Sequence, residues 1–154
     1  MLQKKVMLKW WLLVVLTLSG CVVINYFDGF EFLWANDFTK ISFVIMGLFV
    51  FGSAMIGYKV FIYTRDEEYD RRYEGEWLVS EHLMSLGLLG TIVSLLYVFV
   101  GSFTDLDIGN VESAQRVIST MAAGLGAAFT TSIVGLSASM LLKTQLVIAE
   151  GDDK

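Results

Sequence analysis

The chain has 154 residues, 55% of them hydrophobic and 18% charged, with a mean hydropathy of +0.63, a balance that excludes an ordinary soluble domain. Its net charge of −5 is spread over short connections and two tails, so it offers no footprint for nucleic acid. A single cysteine, Cys21, allows no disulfide within the chain, and the absence of proline predicts long helices without proline kinks.

Four stretches reach the ~20 residues that a helix needs to cross ~30 Å of hydrocarbon. The first is expected at about Trp10–Tyr26. Its basic start and Leu18-Ser19-Gly20-Cys21 resemble a bacterial lipoprotein signal cut before Cys21. The apolar run continues through Val22, Val23 and Ile24 instead of turning polar, so it reads as a retained span with Cys21 a small hydrophobe. Asp28–Lys40 follows, rich in aromatic residues (Phe30, Phe32, Trp34, Phe38), and is expected to lie along the outward membrane surface.

The second span is expected at Ile41–Tyr63, with Lys59 reaching the interface on its long apolar stem. The connection Thr64–Ser80 reads as a solvated helical extension with Glu67–Arg71 and Glu68–Arg72 as pairs four apart. His82–Phe103 is the third span. Thr104–Ser113 is acidic, with Asn110 placed to cap the last helix, and the fourth span is expected at Ile118–Leu142. All-α architecture follows, as one transmembrane domain over residues 1–154.

Orientation follows from the cations. Lys4, Lys5, Lys9, Lys59, Arg65, Arg71, Arg72, Lys143 and Lys154 fall on one side of the four spans, and only Lys40 and Arg116 on the other. The positive-inside rule then puts both termini in the cytosol, as an even number of spans requires.

The last two spans carry narrow stripes of small and hydroxyl-bearing residues. Gly87, Thr91, Ser94, Val98 and Gly101 recur at steps of three and four, as do Gly124, Ala128, Thr131, Gly135 and Ala138. Small residues let helices approach closely in lipid, so the stripes, with Gly90, read as a seam built to receive another helix. Phe129, Ile133, Leu136 and Met140 lie on the opposite face and are expected to meet lipid or the first two spans. Ser94, Ser137 and Ser139 are expected to bond only to backbone. No Asp or Glu falls inside the four expected spans; Glu81 and His82 stand at the mouth of the third. No nucleophile–base set, metal-ligand cluster or phosphate loop is present, so neither an enzyme nor a bound cofactor is expected.

Leu86-Gly87-Leu88-Leu89-Gly90-Thr91-Ile92-Val93 resembles the GLLGTV signature of the MotA/TolQ/ExbB proton-channel proteins. MAAGLGAAFTTSIVGL, residues 121–136, is similar to their second signature, GI-x-x-AL-x-x-T-x-x-GL. The resemblance implies a subunit of a homo-oligomeric ring, of five copies, in the bacterial cytoplasmic membrane. Such rings surround two copies of a MotB/TolR/ExbD-like partner, whose single span carries the aspartate that takes up and releases the ion. It further implies ring hydroxyls along the ion path, with protons as the ion and sodium as the alternative. Thr91 matches the first signature threonine. Counting back from Gly135, the second falls on Ser132, whereas the stripe favours Thr131 one place earlier. Relatives that turn flagella have far larger cytosolic parts than Thr64–Ser80 and Ile148–Lys154, so a flagellar stator is not expected. A lesion-forming, holin-like protein and a structural assembly protein are the readings from other classes.

Overall fold

The computed structural model describes residues 2–37, 39–65, 72–104 and 111–150, and among these every regular element is an α-helix. α1 is Leu2–Tyr26, α2 Gly29–Asn36, α3 Ile41–Arg65, α4 Glu74–Thr104 and α5 Val111–Glu150. Four of them, all but α2, are long and apolar enough to cross a membrane. Phe38, Glu67, Glu68, Arg71 and Asn110 lie outside the described residues.

Helices run further than hydropathy alone outlines, because hydropathy marks hydrocarbon while helix formation continues into water. The 40 residues of α5 make a rod of about 60 Å, twice the hydrocarbon thickness. α4 starts eight residues before His82, inside the stretch read as a solvated connection. That stretch is not all solvated: Glu76 is only 1% exposed and pairs with Lys59 of α3 at 2.7 Å. Lys59 also donates to the carbonyl of Arg72 at 2.6 Å, so its ammonium is held by protein rather than reaching freely for the interface.

The core gathers where α3, α4 and α5 meet: Ile45, Ile56 and Val60 of α3, Leu83 of α4, and Ala138, Leu142 and Leu146 of α5. α4 and α5 share the longest interface. α1 is peripheral. Its Leu12, Val15, Leu16, Leu18 and Val22 are all more than half exposed, as lipid-facing side chains are. Phe129, Ile133, Leu136 and Met140 are exposed as well, so this face of α5 does not pack on the first two spans.

α2 occupies the aromatic connection. It is tied to the start of α3 by Lys40, whose ammonium lies 3.6 Å over the Trp34 ring, and by the Trp34–Phe43 edge contact. Asp37, 2% exposed, takes a hydrogen bond from the Ser42 amide at 2.9 Å and one from the Thr39 hydroxyl at 2.8 Å. The first occupies a donor in the opening turn of α3 that would otherwise be orphaned.

Burial alone would raise the Asp37 carboxyl, but hydrogen bonds from Ser42, Thr39 and Lys40 outweigh it and hold it below its usual 3.8. The folded protein therefore binds this proton less tightly than the unfolded chain. The contribution to stability is complete above pH 3.8 and is lost as pH falls through the lower folded value. Asp37→Ala is expected to cost about 1 kcal/mol at pH 7, and the gap to the parent protein should close on acidification below that range. Melting of both proteins in detergent at pH 7 and pH 3 checks this.

Candidate functional site: a hydroxyl pair in the α4–α5 seam

The two small-residue stripes close on each other within one chain. A methyl group placed on Gly135 would lie 2.7 Å from Cα of Gly87 and 2.9 Å from the Leu83 carbonyl oxygen, so the two backbones touch. Gly90 faces the Thr131 methyl, 2.6 Å from where a side chain would begin, with Ile41 of α3 beyond. Gly124 faces Val98. Gly87 against Gly135 and Val98 against Gly124 define an antiparallel register without slippage. Ala128, Ala138 and Ser94 are buried; Gly101 is exposed, with open space where a side chain would begin. Where Gly87 meets Gly135, α4 and α5 leave no room for a third helix between them.

Two hydroxyls meet near the middle of the seam. Thr91 Oγ1 lies 2.5 Å from Ser132 Oγ, 3.0 Å from the Gly87 carbonyl oxygen and 3.1 Å from the Ala128 carbonyl oxygen. Ser132 Oγ is also 3.5 Å from the Gly87 carbonyl. Each hydroxyl has one proton and two acceptor lone pairs, so not all of these bonds form at once. With Ser132 donating to Thr91, the Thr91 proton goes to either the Gly87 or the Ala128 carbonyl; with Thr91 donating to Ser132 instead, the Ser132 proton turns to the Gly87 carbonyl. The cluster is a short hydrogen-bond chain with alternative arrangements. Thr91 is buried and Ser132 half-buried, so Ser132 is the member nearer the outside of the bundle.

Thr131 is placed differently. One residue back from Ser132 is about 100° round the helix, and Thr131 points at Gly90 and the α3 side, fully enclosed. Its hydroxyl has no hydrogen-bond partner. Thr91 and Ser132 are therefore together, and Thr131 is not with them.

Thr91 stands ten residues from Glu81, about 15 Å along α4, and no Asp, Glu, Lys or Arg occurs in α4 beyond Glu81 or in α5 between Arg116 and Lys143. Hydroxyls cannot take a net proton near pH 7; they can orient water or bond a carboxylate supplied from outside. Among the described residues no three His, Cys, Asp or Glu side chains gather as metal ligands. Sequence reasoning missed the Lys59–Glu76 pair. The available signal was Lys59 itself, the sole cation within the second expected span. Compared with protein-family models, curated proteins and solved structures, the chain matches none of them.

Proposed function

We propose that the chain is the ring subunit of an ion-driven channel or motor of the MotA/TolQ/ExbB type. In this reading five copies stand in the bacterial cytoplasmic membrane with both termini cytosolic. They enclose two copies of a single-span partner bearing a transmembrane aspartate, and proton flow down its gradient moves partner against ring. The observation that supports it is the Thr91–Ser132 pair. Two hydroxyls, each within a stretch resembling a family signature, meet in the middle of an uncharged seam. An ionisable group at mid-membrane costs ~2.5–3.5 kcal/mol on insertion scales. A carboxylate supplied by a partner, and hydrogen-bonded by ring hydroxyls when it turns toward them, answers that cost.

Ser132 is the hydroxyl that the partner meets, with Thr91 behind it as the second link. Thr131 serves as the internal comparator, since its hydroxyl bonds nothing. Proton flux into liposomes holding ring and partner should fall at least tenfold in Thr91→Val/Ser132→Ala while the complex stays assembled by native mass spectrometry. Thr131→Val should keep the flux and be neutral or stabilising, because it removes a buried hydroxyl that has no bond. Repeating the assay under a sodium gradient separates the two ions. Full flux without the partner would make the protein a lesion-forming one; unchanged flux in the double variant would remove the hydroxyl path altogether.

A further inference from the structure

α1 and α3 stop half-way along α4 and α5. Ile41, the first residue of α3, packs on Gly90, with its Cβ 3.5 Å from where a Gly90 side chain would begin. α1 is aligned with α3 where the Trp10 ring lies on Gly57. From that contact sixteen residues lead to Tyr26 on α1 and sixteen to Ile41 on α3, so both helices end at one level. α2 joins those ends as a crossbar: Gly29 folds back onto Ile24 of α1, and Trp34 meets the Phe43 ring of α3 with 5.4 Å between centroids. Past Gly90, α4 runs on from Thr91 to Thr104, about 21 Å.

The crossbar and the helices beyond it differ in chemistry. Asp28, Glu31 and Lys40 are all exposed, and charged side chains are costly in hydrocarbon. Residues 91–104 and 117–130 contain no charge, and Ile92, Leu96, Val100 and Phe103 are more than half exposed. An apolar surface of that length is as ill suited to water as the crossbar is to lipid. No flat membrane boundary suits both. Placed at α2, it leaves about 20 Å of apolar helix in water; placed at Phe103, it sinks three charges into hydrocarbon.

We infer that the outward aqueous boundary is stepped: water descends to α2, level with Gly90 and Thr131, while α4 and α5 stay dehydrated beyond it. The recess so formed brings outward water to the level of the Thr91–Ser132 pair. It rests on the function proposed above for its use, as the outward approach to that pair, but not for its existence.

The test has two readouts, and neither involves ion flux, so recess and proposed function can fail separately. Both use the full chain carrying Cys21→Ser. Ile41→Cys/Gly90→Cys should close a disulfide on oxidation in membranes, because 3.5 Å between first side-chain carbons is within disulfide range. Gly52→Cys/Val79→Cys reports the same register should the Gly90 variant not fold, since a Gly52 carbon would stand 3.4 Å from Val79 Cγ1. In membranes opened to reagent on both faces, an impermeant maleimide should label Ala35→Cys on α2 about tenfold faster than Leu96→Cys. Leu96 stands six residues, about 9 Å, beyond Gly90, and both positions are exposed on the protein. If neither pair closes in folded protein, the shared level is wrong. Equal labelling of the two positions, fast or slow, overturns the step.

Discussion

Gly135→Leu is expected to break the α4–α5 seam and to cost at least the ~3 kcal/mol at the upper end for overpacked positions. The obstacle is backbone. A first side-chain carbon at Gly135 would stand 2.7 Å from Cα of Gly87 and 2.9 Å from the Leu83 carbonyl oxygen, and neither can turn aside as a side chain does. The helices would have to move apart over several turns, and the Thr91–Ser132 bond two and a half ångströms long would go with them. Even Gly135→Ala should be clearly destabilising. Gly126→Ala is the paired control. Nothing lies within 4 Å of its position, so the usual helix preference for alanine, up to ~1 kcal/mol, should make it neutral or stabilising. Leu136→Phe, on an exposed face, should be mild. Thermal unfolding by circular dichroism in detergent, with native mass spectrometry for assembly, reads all four variants. Equal damage from Gly126→Ala and Gly135→Ala would show that the two helices meet on another face.

Lys59→Met should be the second most damaging single change. It leaves the Glu76 carboxylate 1% exposed with its cation gone, and breaking a buried pair from one side typically costs about 3–5 kcal/mol. The reverse change, Glu76→Gln, should be milder. The Lys59 side chain is 21% exposed, and its ammonium keeps the Arg72 carbonyl as an acceptor, so it is not stranded. The double variant Lys59→Met/Glu76→Gln should recover part of the loss in Lys59→Met, because no uncompensated charge remains. Unfolding in detergent of the parent, both single variants and the double completes the cycle. If Lys59→Met melts with the parent protein, the pair does not hold α3 to α4.

These two positions differ in how legible they were. The glycine stripe was visible in the chain because a period of three and four is a property of one helix. The ion pair was not, because Lys59 and Glu76 sit seventeen residues apart with Arg65–Tyr73 between them, and only the antiparallel packing of α3 on α4 brings them together. Glu76 reads in isolation as one more acid in a charged connection. Similarly, Trp77 gains a partner only at the far end of the chain, where its indole donates to Glu150 at 2.6 Å.

Four apolar spans, an all-helical chain and the small-residue stripes were determined by the sequence itself. Hydropathy and helical period are local sums over neighbouring residues, and no packing partner is needed to evaluate them. Which stripe faces which, and which hydroxyl stands beside Thr91, were decided by tertiary structure alone. Thr131 and Ser132 are adjacent in the chain and about 100° apart round the helix. Nothing local selects between them. The selection comes from register: with Gly135 seated on Gly87, Thr131 is turned onto Gly90 and Ser132 onto Thr91, and a shift of one residue would exchange their surroundings.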